Sequence, residues 1–227
     1  MENSKNQKIL ETISKDRKRT NLLKRYEQAF IAYLVQRVPS GISSNMLTFI
    51  GFLGNFIVFI SFILASKINS WYLFLGVAGF FISWFGDSLD GRIAYYRNKP
   101  RKWYGFALDL TVDWVSTVLI GLGFMIYIKN QSSLLGYAFV VLYGWEIITT
   151  LLRYKITGKY SIDSGLFGPT EVRLIISALL ILEIFIPGSI VYLAAIMITG
   201  LFIFNILDFI KLLKLADERD KTEKQNK

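Results

Sequence analysis

Six long apolar segments constrain most strongly what this chain can fold into. Each holds about twenty residues with few charges, which is the length that a helix needs to cross the hydrocarbon core of a bilayer. The segments cover approximately Asn45–Ser66, Trp71–Tyr95, Gly105–Ile128, Ser132–Arg153, Thr170–Ile186 and Ile190–Lys211. Hydrophobic residues make up 53% of the chain and the mean hydropathy is +0.42. The sequence therefore predicts an all-α, polytopic membrane protein with six transmembrane helices.

An amphipathic segment precedes the first span. Between residues 19 and 38, apolar residues recur near the helical period and basic residues lie between them, which predicts a helix. Two interpretations stay open: the helix lies in the cytoplasmic membrane interface, or it packs on the protein's own surface. We expect 1–18 to be a flexible cytoplasmic N-terminus, 19–42 the juxtamembrane helix, 43–212 the six-helix domain and 213–227 a charged cytoplasmic tail.

The distribution of charge predicts the orientation of the spans. Of the 26 Lys and Arg residues, only Lys67 and Lys129 lie in the three loops that join spans one to two, three to four and five to six. Basic residues concentrate in cytoplasmic loops, so both termini are expected in the cytoplasm. The net charge of +9 lies in the termini and the opposite loops, which is typical of contact with anionic lipid and disfavours nucleic-acid binding.

The residue types that the chain lacks restrict its chemistry. It contains no cysteine and no histidine, which excludes disulfide bonds, thiolate metal sites and acid–base catalysis by imidazole. Carboxylates must therefore carry any metal binding or proton transfer. Carboxylates favour hard cations such as Mg²⁺ or Mn²⁺.

Four aspartates in spans two and three form a candidate metal site. Asp87 and Asp90 are spaced i, i+3, and Asp109 and Asp113 are spaced i, i+4, so each pair lies on one helix face. At about 1.5 Å per residue, both pairs fall near the cytoplasmic edge of the hydrocarbon core, and two neighbouring antiparallel helices would bring them together. Four unpaired charges would cost on the order of 10 kcal/mol there. One or two divalent cations would offset this cost, and two ions can clamp a phosphoryl group.

Small residues accompany these aspartates. Gly91 and Ala94 follow the first pair, and Gly105 precedes the second. Taken singly, such residues permit close helix packing. Beside four aspartates, they instead favour a site where a nucleotide or diphosphate approaches the backbone. The candidate nucleotide-binding residues are therefore Asp87, Gly91, Ala94 and Gly105.

These residues together resemble a family signature. The matching pattern is Asp87-x2-Asp90-Gly91-x2-Ala94, then Gly105-x3-Asp109-x3-Asp113. It is similar to the signature of the CDP-alcohol phosphotransferases (CDP-alcohol phosphatidyltransferases), which are integral membrane enzymes of phospholipid synthesis. Residues 44–48, Ser-Asn-Met-Leu-Thr, resemble a Pro-Asn-x-Leu/Ile-Thr element that the family often shows there. The resemblance covers about residues 20–210.

The resemblance implies transfer of a phosphatidyl or phospho-alcohol group from a CDP-linked donor to an acceptor hydroxyl, with release of CMP. The donor would be CDP-diacylglycerol or a CDP-amino alcohol, and the domain over 43–212 would be catalytic. Asp87, Asp90 and Asp109 would hold two Mg²⁺ or Mn²⁺ ions. Asp113 would be a further ligand or the catalytic base that takes the acceptor's proton. A homodimer is expected from the resemblance alone.

The chain departs from the family pattern at two points. Tyr95 stands where the family has an arginine that meets the donor phosphates, and residues 96–104 make the following gap one residue longer. The candidates for phosphate or acceptor contact in its place are Arg92, Arg97, Arg153 and Arg173.

Ionisable residues also occur in the later spans. Glu146 and Arg173 are functional candidates because charges inside a membrane are costly, or they pair with each other. Glu183 and Asp208 receive no assignment from the sequence.

Three functions stay open at this point. The first is the transferase, and the second is a catalytically weakened homologue that binds a nucleotide or lipid, motivated by Tyr95. The third is a carboxylate-lined cation transporter, although transporters usually place such charges at mid-membrane in broken helices or inverted repeats. Release of CMP would separate the first function from the others.

Overall fold

The computed structural model describes residues 24–158 and 169–225, and the regular secondary structure within these ranges is helical, with no strands. Seven α-helices occur within this part of the chain: α1 Lys24–Val35, α2 Ser44–Lys67, α3 Leu73–Tyr96, α4 Lys102–Ile128, α5 Leu134–Thr157, α6 Pro169–Phe185 and α7 Ser189–Gln225. Short 3₁₀ turns, Ser70–Tyr72 and Gln131–Ser133, lead into α3 and α5. The predictions for residues 1–23 lie outside the described residues.

Five of the helices are long and apolar enough to cross a membrane, namely α2, α3, α4, α5 and α7. They match five of the six predicted spans, and the all-α membrane architecture is confirmed. Helix α6 has 17 residues, or about 25 Å of helix, and its place as a sixth span stays a prediction. Helix α7 continues beyond the predicted end of its span, and Lys221–Asp217 (2.7 Å) and Arg219–Glu223 (2.8 Å) ion pairs support this polar extension.

Helix α1 packs against the helix that carries the first aspartate pair. Ile31 and Val35 are fully buried and share a hydrophobic cluster with Leu89 and Ile93 of α3. The opposite face leaves Phe30 48% exposed. The buried face thus packs on the protein's own surface, and a location of the exposed face in the membrane interface stays a prediction.

Glycines let α2 approach α3 closely beside the aspartates. A Cβ atom added to Gly54 would lie 2.3 Å from the backbone nitrogen of Ser83, and one added to Gly86 would lie 2.3 Å from that of Gly51. Such distances are well inside van der Waals contact, so the two backbones touch where these residues cross. Because Gly86 directly precedes Asp87, this packing fixes the point from which the side chain of Asp87 projects.

We expect Gly86→Ala to destabilise the protein. The added methyl group must push α2 from α3, and overpacking of this kind typically costs about 1–3 kcal/mol. Thermal unfolding in detergent measures the effect. Gly200→Ala in α7 is the matched control, because an added Cβ there meets nothing within 4 Å. Equal melting temperatures for the two variants would contradict the packing argument.

Candidate active site

Three of the four predicted carboxylates meet at one end of the helix bundle. Asp87 lies in α3, and Asp109 and Asp113 lie one turn apart in α4. Each offers one oxygen, and the three oxygens lie within 4.8 Å of one another. The sequence predicts α3 and α4 as neighbours, whereas the two make little direct contact because both pack along α2. The carboxylates therefore face each other across the space between the two helices.

This cluster has the chemistry of a site for a hard cation. Two unit charges about 5 Å apart repel by about 3 kcal/mol at an effective dielectric constant of about 20, so three carboxylates at this distance need positive charge. All three side chains are partly buried, which limits screening by solvent. Oxygen ligands in this number suit Mg²⁺ or Mn²⁺, which bind through carboxylates together with water or phosphate oxygens. The residues present therefore fit the ions that the sequence predicts.

Asp90 lies beside this cluster in a different environment. Its side chain is 5% exposed, and its Oδ2 atom accepts a hydrogen bond of 2.7 Å from the Thr48 hydroxyl of α2. Its Oδ1 atom contacts the backbone N–H of Gly91. The structure thus explains the threonine of the 44–48 element: Thr48 holds the carboxylate of Asp90 in place.

We expect Thr48→Val to misplace Asp90 without a change in side-chain volume. A hydrogen bond to a charged group contributes about 1.5–3 kcal/mol, so the melting temperature should fall. The release of CMP that the sequence predicts should also become slower. Thr48→Ser keeps the hydroxyl and should restore most of each value. Identical behaviour of the valine and serine variants would contradict a positioning role for this hydroxyl.

The four candidate arginines have different partners. Arg97 donates hydrogen bonds to three backbone carbonyls, those of Val38 (3.2 Å), Pro39 (2.8 Å) and Ile42. These bonds connect the loop before α2 to the end of α3. Arg153 pairs with Asp208 of α7. Arg92 is 4% exposed and donates to the carbonyl of Ser88. These contacts stabilise the fold.

Arg173 reaches the carboxylate cluster. Its Nη1 atom lies 2.7 Å from Oδ2 of Asp87, across the packed helices α6 and α3. Arg173 thus pairs with Asp87, and the internal pair of Glu146 with Arg173 that the sequence suggested stays a prediction.

The small residues of the signature do not share one role. A Cβ atom added to Gly105 would meet nothing within 4 Å, so this glycine does not serve helix packing. Nearby, Arg101 donates to Oδ1 of Asn45 at 2.6 Å and lies 4.1 Å above the ring of Tyr104. The start of α4 is therefore open at Gly105 and held to the start of α2 beside it. Gly91 and Ala94 lie partly buried on α3.

Tyr143 of α5 is a site neighbour that the sequence analysis missed. Its hydroxyl interacts electrostatically with Asp113, Asp87, Glu146 and Arg173. The signal in the sequence is its i, i+3 spacing to Glu146, which places both residues on one face of α5. A lone tyrosine in an aromatic-rich span does not otherwise stand out.

The fold and the site define an integral, multi-pass membrane protein with a carboxylate cluster at one end of its helix bundle. Comparison with protein families narrows this class. The family model for CDP-alcohol phosphatidyltransferase matches residues 42–205. The chain therefore belongs to the CDP-alcohol phosphatidyltransferase family, a family of phospholipid-synthesis transferases.

Individual relatives agree with this assignment. Cholinephosphotransferase 1 of Gallus gallus is 28% identical over 179 residues, which is 73% of this chain and 50% of that protein. Cholinephosphotransferase 1 of Danio rerio is 33% identical over 101 residues, which is 42% of this chain and 26% of that protein. The chain thus spans half or less of the length of these curated relatives.

A solved structure shares the fold. Phosphatidylinositol phosphate synthase of Mycobacterium tuberculosis, solved with CDP-DAG bound, aligns with a TM-score of 0.60 and 16% sequence identity. The alignment covers 83% of this chain and 94% of the synthase chain. At this identity the likeness establishes the architecture and leaves the substrates to be tested.

Proposed function

We propose that this protein transfers a phosphatidyl or phospho-alcohol group from a CDP-linked donor to an acceptor hydroxyl, with release of CMP. The observation that carries the proposal is the cluster of Asp87, Asp109 and Asp113, whose oxygens lie within 4.8 Å of one another at one end of an apolar bundle. Family membership supports the same reaction. A site at the membrane edge also lets a water-soluble substrate meet a lipid substrate.

Asp87, Asp109 and Asp113 would hold Mg²⁺ or Mn²⁺, with Asp90 as a fourth carboxylate beside them. When bound, such ions stabilise charge on the donor's diphosphate and make CMP a better leaving group. The chain's own residues supply the rest of the chemistry. Asp113 is proposed to accept the proton of the acceptor hydroxyl, since a carboxylate can serve as the base where histidine is missing.

The nucleotide is proposed to bind between α3 and α4, beside the carboxylate cluster. Asp87, Gly91 and Ala94 on α3 and Gly105 on α4 would line its path, and the open space at Gly105 supports an approach of the ligand to the backbone. Arg173 is the proposed contact for phosphate or acceptor, because its guanidinium pairs with Asp87 of the carboxylate cluster.

The topology proposed for the chain has both termini in the cytoplasm, with 43–212 as the catalytic domain and α6 as the sixth span. The charge asymmetry of the loops supports this orientation. The acceptor and the donor class are open to test, because cholinephosphotransferase relatives favour a CDP-amino alcohol and the structural relative binds CDP-DAG.

Release of CMP by the purified protein in detergent tests the proposal. CDP-diacylglycerol, CDP-choline and CDP-ethanolamine would each be offered with Mn²⁺ or Mg²⁺ and a panel of alcohols. We expect metal-dependent release with one donor class and its loss in Asp113→Asn. Binding of CDP without release from any pair would favour the weakened homologue, for which Tyr95 is the motivating residue. Neither binding nor release would overturn the proposed site.

A further inference from the structure

We infer that Arg173 competes with the divalent ion for Asp87, holding this carboxylate while the site is empty and leaving it when the site is loaded. The inference rests on the proposed function, because it needs Asp87 as a metal ligand. It adds a second state to the site, in which an arginine of the chain takes the place of the cation.

Arg173 and Asp87 form a direct ion pair. The guanidinium Nη1 atom lies 2.7 Å from Oδ2 of Asp87, and the two side chains are 14% and 26% exposed. Asp87 is also one of the three residues whose oxygens lie within 4.8 Å of one another. Arg173 therefore bonds directly to a carboxylate of the cluster, in an environment where solvent screens charge only in part.

The charges explain why the pair and the ion exclude each other. Three carboxylates and one guanidinium leave the empty site with less repulsion than three carboxylates alone. A guanidinium never loses its charge in a protein, so the same group repels a divalent ion that enters the cluster. After release, its planar set of donors matches phosphate oxygens, and the donor's diphosphate would supply the anionic partner that Asp87 no longer provides.

The test compares Mn²⁺ binding by wild-type protein and Arg173→Gln, followed by Mn²⁺ electron paramagnetic resonance in detergent without substrate. We expect the glutamine variant to bind Mn²⁺ at least about tenfold more tightly and to melt at a lower temperature when metal-free. Arg173→Lys keeps the charge and should bind Mn²⁺ close to the wild-type affinity. Unchanged or weaker binding by Arg173→Gln would overturn the inference.

Arg153→Gln is the matched control. It also removes one guanidinium from a partly buried ion pair, with Asp208, but this partner lies outside the carboxylate cluster. It should lower the stability of the protein and leave the affinity for Mn²⁺ unchanged. A tighter Mn²⁺ affinity in this variant would show that loosening of the bundle, and not loss of the competing charge, explains the result.

A second measurement uses the wild-type protein and so does not depend on the folding of a variant. Phenylglyoxal modifies accessible arginines, and mass spectrometry reports the extent at residue 173. We expect Mn²⁺ to increase modification of Arg173, because the guanidinium leaves Asp87, and added CDP to reduce it. No increase with Mn²⁺ would contradict the inference. Failure of the wild-type protein to bind Mn²⁺ at all would overturn the proposed function as well.

Discussion

Replacing Asp109 with asparagine is expected to remove both Mn²⁺ binding and CMP release. Asparagine keeps the size of the side chain and removes the charge of one of the three carboxylates that lie within 4.8 Å of one another. A bound ion provides several kcal/mol of charge stabilisation in the transition state, and each 1.36 kcal/mol is a factor of ten in rate. The expected loss of CMP release is therefore about 1,000-fold or more.

Two readouts separate loss of the ion from loss of the fold. Metal-free Asp109→Asn should still unfold cooperatively on heating, while the rise in melting temperature that Mn²⁺ causes should vanish. Asp217→Asn is the matched control, since Asp217 is exposed on α7 and pairs with Lys221. If Asp109→Asn retained metal-dependent CMP release, the carboxylate cluster would not be the catalytic metal site.

The parts of the site that the sequence predicts are those set by local helix geometry. Spacings of three and four residues place Asp87 with Asp90, and Asp109 with Asp113, on single helix faces wherever the helices go. The apolar segments likewise determine the spans, because their length and composition suffice for the prediction. The prediction that carboxylates of the second and third spans meet depends only on their equal depth in the membrane. In the structure, three of the four carboxylates do meet.

The remaining contacts depend on which helices become neighbours, and one sequence does not contain that information in a local pattern. Arg173 reaches Asp87 because α6 packs on α3. Thr48 reaches Asp90 because glycines let α2 approach α3 closely. From the sequence, the loop residue Arg97 is a candidate for phosphate contact, yet its guanidinium donates to backbone carbonyls where the chain turns into α2.

Glu183 is a residue whose role can be assigned only from the structure. It is 4% exposed at the end of the bundle opposite the aspartates. Its carboxylate accepts hydrogen bonds from the Tyr127 hydroxyl at 2.8 Å and from the backbone N–H groups of Gly188 and Ile190 at 3.0 and 2.9 Å. The first N–H groups of a helix have no partners within it, and a negative charge there is favoured by the helix dipole. Glu183 therefore caps the start of α7.

Glu183→Ala is expected to destabilise the protein more than any substitution of a lipid-facing residue. It leaves the backbone N–H of the buried Ile190 and the partly buried hydroxyl of Tyr127 without their acceptor, and each such donor costs about 1–3 kcal/mol, so a loss of about 2–6 kcal/mol is expected. Thermal unfolding in detergent measures this loss. Tyr127→Phe removes one donor together with its hydrogen bond and should cost only about 1 kcal/mol. Equal effects of the two substitutions would mean that the backbone N–H groups of α7 find other acceptors, and that the cap does not hold this helix.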